Sequence, residues 1–164
     1  MRIGKKLVTF AVAGLALIGT AACSKNSNNS SSSEKIPTKI NKKTSIVFWH
    51  GMHGGQEAEL KKLTSEFEKK NPNINVKLEN QGSYIDLQGK LTSTMQSPKN
   101  LPTITQAYPG WLYNAAQNKM LVNLTPYINN KSIGWGSAQK SGIRTELLDG
   151  AKIKGTQYGI PFNK

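Results

Sequence analysis

Apolar residues from residue 44 onward follow two alternating patterns, one typical of strands and one typical of helices. Residues 45–50 are mostly β-branched and aromatic, which predicts a buried strand of a parallel sheet. A glycine-rich segment, 51–55, then turns the chain. A helix is predicted over 56–70, because apolar residues recur there on one face at helical spacing. These residues are Leu60, Leu63 and Phe67.

The same alternation continues to residue 118. Residues 74–78 alternate apolar and polar positions as a second strand, and a helix is predicted over about 84–96. Its apolar positions lie at i, i+4 and i+8, at Leu87, Leu91 and Met95. A third strand is predicted over 103–108 and a further helix over 111–118. Because a crossover helix between parallel strands must lie on a face of their sheet, the pattern predicts the α/β class, with a three-layer lobe and a mostly parallel sheet.

The first 23 residues have the pattern of a lipoprotein signal peptide. Arg2, Lys5 and Lys6 give a positive start, and residues 7–18 form an unbroken run of apolar and small residues. A run of this length is short of the ~20 residues that span a bilayer, so it predicts a signal-peptide core. Small residues follow and end at Cys23, the only cysteine of the chain.

Cys23 is the predicted lipidation site. The segment Gly-Thr-Ala-Ala-Cys at 19–23 resembles a lipobox, in which the cysteine is acylated on sulfur and becomes the mature N-terminus, although Thr20 stands where an aliphatic residue is most usual. The alternatives are a buried thiol or half of a disulfide, and the sequence holds no second cysteine for a disulfide. We expect a protein that is lipid-anchored on the extracellular face of the cell membrane.

Residues 24–44 consist mainly of Ser, Asn and Lys and contain few apolar residues. Such a segment cannot bury enough surface to offset its conformational entropy, which predicts a flexible tether. It either holds the next domain at a distance from the membrane or is a disordered tail without a spacing role. The predicted organisation is therefore a signal peptide with its lipobox cysteine at 1–23, a tether at 24–44 and a folded lobe at 45–164.

The formal net charge of +13 is divided along the chain. Residues 1–44 carry +7, and residues 45–164 carry the remaining +6. The basic residues of the predicted domain are scattered, and they lack the interleaved aromatic residues of a groove for single-stranded nucleic acid. No sequence motif of a nucleic-acid-binding fold is present either, so we expect no nucleic-acid partner.

A series of short motifs runs through the predicted domain. In chain order they are Ile46-Val47-Phe48-Trp49-His50, Leu63-x-x-Glu66-Phe67-x-x-x-Asn71-Pro72-x-Ile74-x-Val76, Gly82-Ser83-Tyr84-x-x-Leu87-x-x-Lys90-Leu91, Leu101-Pro102-Thr103-Ile104, Met120-Leu121-Val122-Asn123-Leu124-Thr125-Pro126-Tyr127-Ile128 and Tyr158-Gly159-Ile160-Pro161-Phe162-Asn163. Together they resemble the family 1 extracellular solute-binding proteins of ABC importers, the group around maltose-binding protein. The resemblance implies a periplasmic-binding-protein-like N-terminal lobe, a sugar or glycerol phosphate as ligand and an ABC permease in the membrane as partner. We expect a monomer without a cofactor.

Within that family the chain most resembles the glycerol-3-phosphate-binding subgroup, through Phe48-Trp49-His50 and Gly82-Ser83-Tyr84. The subgroup implies that Tyr84 bonds a phosphate or a hydroxyl group of the ligand. It also has a glutamate after a tyrosine in the loop that leaves the third strand, where this chain has Tyr108-Pro109. Pro109 cannot supply that charge, so a glycerol phosphodiester, a sugar and an oligosaccharide all stay open as ligands.

The predicted strand ends indicate the same site independently of the resemblance. Ligands of open α/β sheets bind beyond the carboxyl ends of the strands. Aromatic faces in such loops stack on the C–H surface of sugars, while hydroxyl groups fix the orientation of the ligand. The candidate ligand-binding residues are Trp49, His50, Ser83, Tyr84, Tyr108 and Trp111. The alternative for the two tryptophans and Tyr84 is packing in the core.

Metal binding and catalysis are disfavoured by the spacing of the candidate groups. His50 and His53 lack the glutamate of a zinc-protease helix, and the surrounding glycines favour a loop. Ser83, His50 and Asp86 could supply a triad, but no serine lies in a strained Gly-x-Ser-x-Gly elbow. We expect no metal site and no catalytic residue.

The chain length of 164 residues adds one expectation. The resemblance implies two lobes and a chain more than twice as long, so we expect a fragment or a truncated reading frame, with an exposed sheet edge and an uncovered apolar face. The predicted function is capture of a sugar or glycerol-3-phosphate-type solute without chemistry on it. The alternative is a surface lipoprotein enzyme or adhesin that acts on glycans, and an enzyme would need paired carboxylates on the cleft loops.

Overall fold

A three-stranded parallel sheet with helical crossovers forms the larger part of the structure. The computed structural model describes residues 36–136 and 142–162. Its strands and helices, in chain order, are β1 (Thr44–His50), α1 (Gly54–Lys70), β2 (Ile74–Asn80), α2 (Tyr84–Thr94), β3 (Ile104–Thr105), α3 (Tyr113–Gln117), α4 (Thr125–Ile128), α5 (Thr145–Gly150), β4 (Lys152–Ile153) and β5 (Thr156–Gln157). Short 3₁₀ turns occupy Pro98–Asn100 and Pro109–Leu112.

The sheet has the strand order β2-β1-β3, and both pairings are parallel. β1 pairs with β2 over its whole length, from Thr44 opposite Ile74 to His50 opposite Asn80. Its pairing with β3 covers two positions only. The predicted α/β class with a parallel sheet is confirmed. As a result, the carboxyl ends of the three strands lie at one edge of the sheet.

β3 is shorter than the strand predicted over 103–108. Before β3, the N–H of Val47 donates to the Thr103 hydroxyl at 3.2 Å, so a side chain takes the place of a backbone partner. After β3, the 3₁₀ turn Pro109–Leu112 begins with a proline, whose fixed φ and missing N–H do not suit a strand. The helix predicted over 111–118 accordingly starts as this 3₁₀ turn and becomes α-helical only in α3.

α2 covers the sheet with the predicted apolar face. Leu87 and Leu91 are 0% and 2% exposed, and they form the main core cluster together with Trp49. Met95 is partly buried against the same cluster, as is Trp111. The prediction of core positions at i, i+4 and i+8 in this helix is therefore confirmed.

α1 contains no buried residue. Its predicted apolar face exists, but Leu63 and Phe67 are 54% and 42% exposed. Polar contacts hold the helix to β2, because Glu68 Oε1 accepts hydrogen bonds from the N–H of Val76 at 2.7 Å and from Asn75 Nδ2 at 3.2 Å. The described residues thus leave the apolar face of α1 uncovered.

Near the carboxyl end of the described chain, β4 and β5 form an antiparallel hairpin. Its two turn residues, Lys154 and Gly155, have φ values of 49° and 77°, as a type I′ turn requires. The N–H of Leu124 donates to the carbonyl of Gln157 at 2.8 Å, which fastens the hairpin to the segment before α4.

The predicted signal peptide at 1–23, including Cys23, lies outside the described residues. Most of the predicted tether at 24–44 does so as well. Within the part of the chain that the structure describes, no helix combines the length and the apolar character needed to cross a membrane.

We predict that Leu87→Ala lowers the free energy of unfolding by about 2–5 kcal/mol, because it leaves a cavity in the core. Leu63→Ala makes the same chemical change at an exposed position of α1 and should change stability by only about 0.5 kcal/mol. Urea unfolding followed by circular dichroism measures both. Equal losses in the two variants would show that α2 does not carry the core.

Candidate ligand-binding site

Three aromatic side chains meet at the carboxyl edge of the sheet. The ring centroids of Tyr84 and Tyr108 are 5.4 Å apart, those of Tyr84 and Trp111 are 6.0 Å apart, and those of Tyr108 and Trp111 are 5.0 Å apart. Tyr108 is 56% exposed, and the other two are half-buried. We call these three residues the aromatic cluster. It combines mutual packing with a large face that stays open to solvent.

The start of α2 positions Tyr84. Ser83 is the N-cap of this helix, and its hydroxyl accepts from the N–H of Asp86 at 3.2 Å and donates to Asp86 Oδ2 at 2.7 Å. Asp86 Oδ2 also accepts from the N–H of Ser83 at 2.9 Å, which completes a capping box. Tyr84 is the first residue after this cap, so its backbone is fixed by the box.

The capping box also changes the chemistry of its two members. Hydrogen bonds from the Ser83 hydroxyl and N–H lower the pKa of Asp86 below its usual value. In this arrangement the Ser83 hydroxyl donates its only hydrogen to Asp86. Ser83 thus lies next to Tyr84 in the chain, while its hydrogen bonds serve the helix cap.

Tyr108 and Trp111 are positioned by the 3₁₀ turn that follows β3. Tyr108 is the residue before the turn, and the N–H of Trp111 donates to its carbonyl at 3.0 Å. The two rings then meet edge to face at an interplanar angle of 85°, a favourable geometry for aromatic pairs. Pro109, which takes the place of the expected glutamate, supplies the fixed backbone angle of this turn.

The hydroxyl of Tyr84 stays protonated at neutral pH. Burial raises its pKa above the ordinary value, and the neighbouring Tyr108 raises it further. The group is therefore available both to donate and to accept a hydrogen bond.

Trp49 lies in the core beneath this edge. It is 5% exposed, and its Nε1 donates to Glu79 Oε2 at 2.8 Å. Glu79 Oε1 is paired with Lys77 Nζ at 2.7 Å, and the lysine and indole bonds together lower the pKa of Glu79. Lys90 Nζ lies 5.7 Å from the centroid of the Trp49 ring. The indole is thus held by fixed partners within the chain, in contrast to the rings of the aromatic cluster.

A shallow depression of about 270 Å³ lies beside Trp49. Its other lining residues come from α2 and the segment after it, and they are Lys90, Ser93, Thr94, Ser97 and Asn100. No member of the aromatic cluster lines it. It is therefore separate from the aromatic cluster.

His50 is also buried, at 1% exposure. Its Nδ1 accepts from the N–H of Met52 at 3.3 Å, which requires an unprotonated nitrogen at that position. Desolvation lowers the pKa of His50, opposed by the charge of Glu57 and reinforced by Lys61. The ring is therefore neutral at pH 7, and its hydrogen bond to Met52 helps to fix the loop after β1.

Two residues that the sequence patterns did not single out also hold this edge together. Gln106 Oε1 accepts from the N–H of Gly51 at 2.9 Å, and its Nε2 is buried without a partner among the described residues. Asn80, the last residue of β2, bonds three separate partners from one side-chain amide. The only feature of the sequence that could have indicated their role is that each is an amide residue at the end of a strand.

No group of three or more His, Cys, Asp or Glu side chains suited to a metal ion occurs in residues 36–136 and 142–162. Among the six predicted site residues, the structure brings Tyr84, Tyr108 and Trp111 together. It places Ser83 in the cap beside them and buries Trp49 and His50 below.

Residues 62–164 match the model of a protein family described as bacterial extracellular solute-binding protein. No curated protein matches the chain.

Several solved structures have a similar fold. An extracellular solute-binding protein family 1 from Alicyclobacillus acidocaldarius matches with a TM-score of 0.62 and 25% identity, over 74% of this chain and 28% of that chain. The sugar-binding protein MalE from Xanthomonas citri matches with a TM-score of 0.58 and 26% identity, over 72% of this chain and 28% of that one. An ABC substrate-binding protein from Listeria monocytogenes, in complex with cycloalternan, matches with a TM-score of 0.60 and 25% identity over the same shares, 72% and 28%. The chain therefore spans a little over a quarter of the length of these relatives.

We predict that stability falls as the pH is lowered from about 7.5 to about 5.5, because His50 is neutral in the folded protein. In the unfolded chain its pKa is near 6.5, whereas in the folded protein it is lower, so between the two values the unfolded state binds more protons. Urea unfolding at several pH values measures the slope.

His50→Gln should flatten this slope. His53→Gln changes the exposed histidine of the same loop, and it should reduce the slope less than His50→Gln, because the charge of His53 is the last and smallest of the causes that lower the pKa of His50. If the His50 variant retains the full slope, the loss of stability has another origin.

Proposed function

Because the chain belongs to the bacterial extracellular solute-binding proteins, we propose that it forms part of a saccharide-binding protein that serves an ABC importer. The observation that carries this proposal is the aromatic cluster at the carboxyl edge of a parallel sheet. Tyr108, at 56% exposure, offers a face for the C–H surface of a sugar ring, and Tyr84 offers a hydroxyl. Ligands of open α/β sheets bind at this edge.

The relatives support a saccharide as the class of ligand. Among the solved structures, one is described as sugar-binding and another is in complex with cycloalternan. The comparisons lend no support to the glycerol-3-phosphate subgroup, and Pro109 removes the carboxylate that the subgroup would use. The binding test therefore has to compare saccharides with glycerol 3-phosphate, the alternative ligand.

The carboxylates near the aromatic cluster favour binding of the ligand over a reaction on it. Asp86 is committed to the capping box, and Glu79 is bonded to Trp49 and Lys77. A glycoside hydrolase needs one carboxyl group as acid and a second as nucleophile or base. Neither of these two is free for such a role, so we assign capture of the ligand rather than its cleavage.

We further propose that the protein is anchored by lipid on Cys23 at the outer face of the membrane, where it delivers its ligand to a permease. The family description places its members outside the cell. The sequence at 19–23 has the lipobox pattern, and Cys23 is the only cysteine available for acylation.

We predict weak saccharide binding by the chain as it stands, with a dissociation constant in the millimolar range. The chain spans 28% of the length of the relatives, so only part of the ligand contacts come from it. A micromolar complex corresponds to about 8 kcal/mol, and half of this leaves millimolar binding. Titration with maltotriose and mannotriose, followed by the NMR signal of the Trp111 indole, measures it, with glycerol 3-phosphate as the competing ligand class.

In the same titration, Tyr84→Ala and Tyr108→Ala should each weaken saccharide binding about fivefold or more, because the first removes a hydroxyl group and the second removes a stacking face. Tyr127→Ala is the matched control, since Tyr127 is 39% exposed and lies outside the aromatic cluster. A saturable response to glycerol 3-phosphate alone, or equal effects of all three substitutions, contradicts the proposal.

For the anchor, Cys23→Ala should move the protein from the detergent phase to the aqueous phase or stall it as an unprocessed precursor, since no other thiol can carry the lipid. Phase partitioning and the mass of the mature protein measure the two results. A processed variant that still partitions into detergent would rule out acylation of Cys23.

A further inference from the structure

Asn80 lies where two loops of the candidate site meet. It is the last residue of β2 and pairs with His50, the last residue of β1. Its Nδ2 donates to the carbonyl of Met52 at 2.8 Å and to Glu57 Oε2 at 3.3 Å. Its Oδ1 accepts from the N–H of Gly82 at 2.9 Å. One amide thus contacts the loop after β1, the first turn of α1 and the loop after β2.

The two loops are also close in their backbones. The N–H of Gln81 donates to the carbonyl of His50 at 2.8 Å. A side chain at Gly51 would come within 3.1 Å of the carbonyl of Gly82. Gly82 itself has a φ of +84°, which favours glycine, and a side chain there would come within 2.8 Å of Asp86 Oδ2. The loops therefore fit together only in a narrow range of positions.

We infer that Asn80 is a positioning residue for the ligand-binding surface, because its amide fixes the loop that presents Tyr84. The path is short: Asn80 holds Gly82, the next residue is the N-cap Ser83, and Tyr84 follows it. Tyr84 then packs against Tyr108 and Trp111, so its place sets the shape of the whole aromatic cluster.

An amide is the side chain that this place requires. It supplies donors toward two acceptors, Met52 and Glu57, and an acceptor toward the N–H of Gly82. An aspartate has the same shape, but in its ionised form it has no donor. It would then direct a negative oxygen at the carbonyl of Met52 and at the carboxylate of Glu57, which costs free energy on both counts.

This inference rests on the proposed function only in calling the aromatic cluster a ligand surface. The arrangement of the cluster can be observed without ligand, through the indole signal of Trp111 in the full chain labelled uniformly with ¹⁵N, which also reports the amide of Gly82. Trp111→Phe assigns that signal among the three tryptophans of the sequence. The binding step uses maltotriose.

Asn80→Ala should shift the Trp111 indole signal, speed amide hydrogen exchange at Gly82 about tenfold, and weaken maltotriose binding about three- to tenfold. Asn75→Ala is the matched control. Asn75 lies in the same strand and donates to Glu68 of α1 at 3.2 Å, but it is at the opposite end of β2. It should leave the Trp111 signal and Gly82 exchange unchanged.

Asn80→Asp gives a second test, the pH dependence of the Trp111 signal, which a general loss of stability would not reproduce. At pH 7 it should resemble Asn80→Ala. As the pH falls toward the ordinary aspartate pKa of about 4, the protonated acid regains a donor for Met52, and the Trp111 signal should return to the position seen in the unaltered protein at the same pH.

The outcomes separate the two proposals. An unmoved Trp111 signal and unchanged Gly82 exchange in Asn80→Ala overturn the inference about Asn80, as does an Asn80→Asp signal that does not recover in acid. Absence of maltotriose binding by the unaltered chain counts against the proposed function, while the Trp111 signal still decides the role of Asn80.

Discussion

The full-length parallel pairing of β1 with β2 is the constraint on which the described structure depends. Side chains alternate between the two faces of a strand, so Val47 and Trp49 point to the same side, where α2 packs on them. A slip of one residue would turn both away from α2 and remove the centre of the core. The same register sets His50 opposite Asn80, which brings the two loops of the candidate site together.

The edge of the sheet is built in two levels. The lower level is buried and is held by hydrogen bonds within the chain, such as those of Trp49 to Glu79 and of His50 to Met52. The upper level is the aromatic cluster, whose faces are only partly used by contacts within the chain. A rigid support under an open aromatic surface is what a binding protein needs, because side chains that are already ordered lose little entropy when a ligand arrives.

Periodicity in the sequence predicted the order of the strands and helices along the chain. The rule about strand ends predicted that the loops carrying Tyr84, Tyr108 and Trp111 would lie at one edge of the sheet. For Trp49 the sequence left ligand contact and core packing both open. Its hydrogen bond to Glu79, 30 positions away, was not predictable from a local pattern. The role of Asn80 depends likewise on partners in two other segments. The apolar face of α1 was predicted from the sequence, but such a pattern does not show which part of the protein packs on it. In the structure Leu63 and Phe67 of this face are exposed.

The parallel topology also affects how fast the chain folds. Thr44 pairs with Ile74, so no part of the β1 and β2 ladder can form until the intervening crossover has brought distant residues together. Contacts of this kind slow folding relative to hairpins and helical bundles. For a member of an extracellular family, slow folding lengthens the time during which the new chain remains unfolded. The sheet that supports the aromatic cluster thus also delays the folding of the chain that carries it.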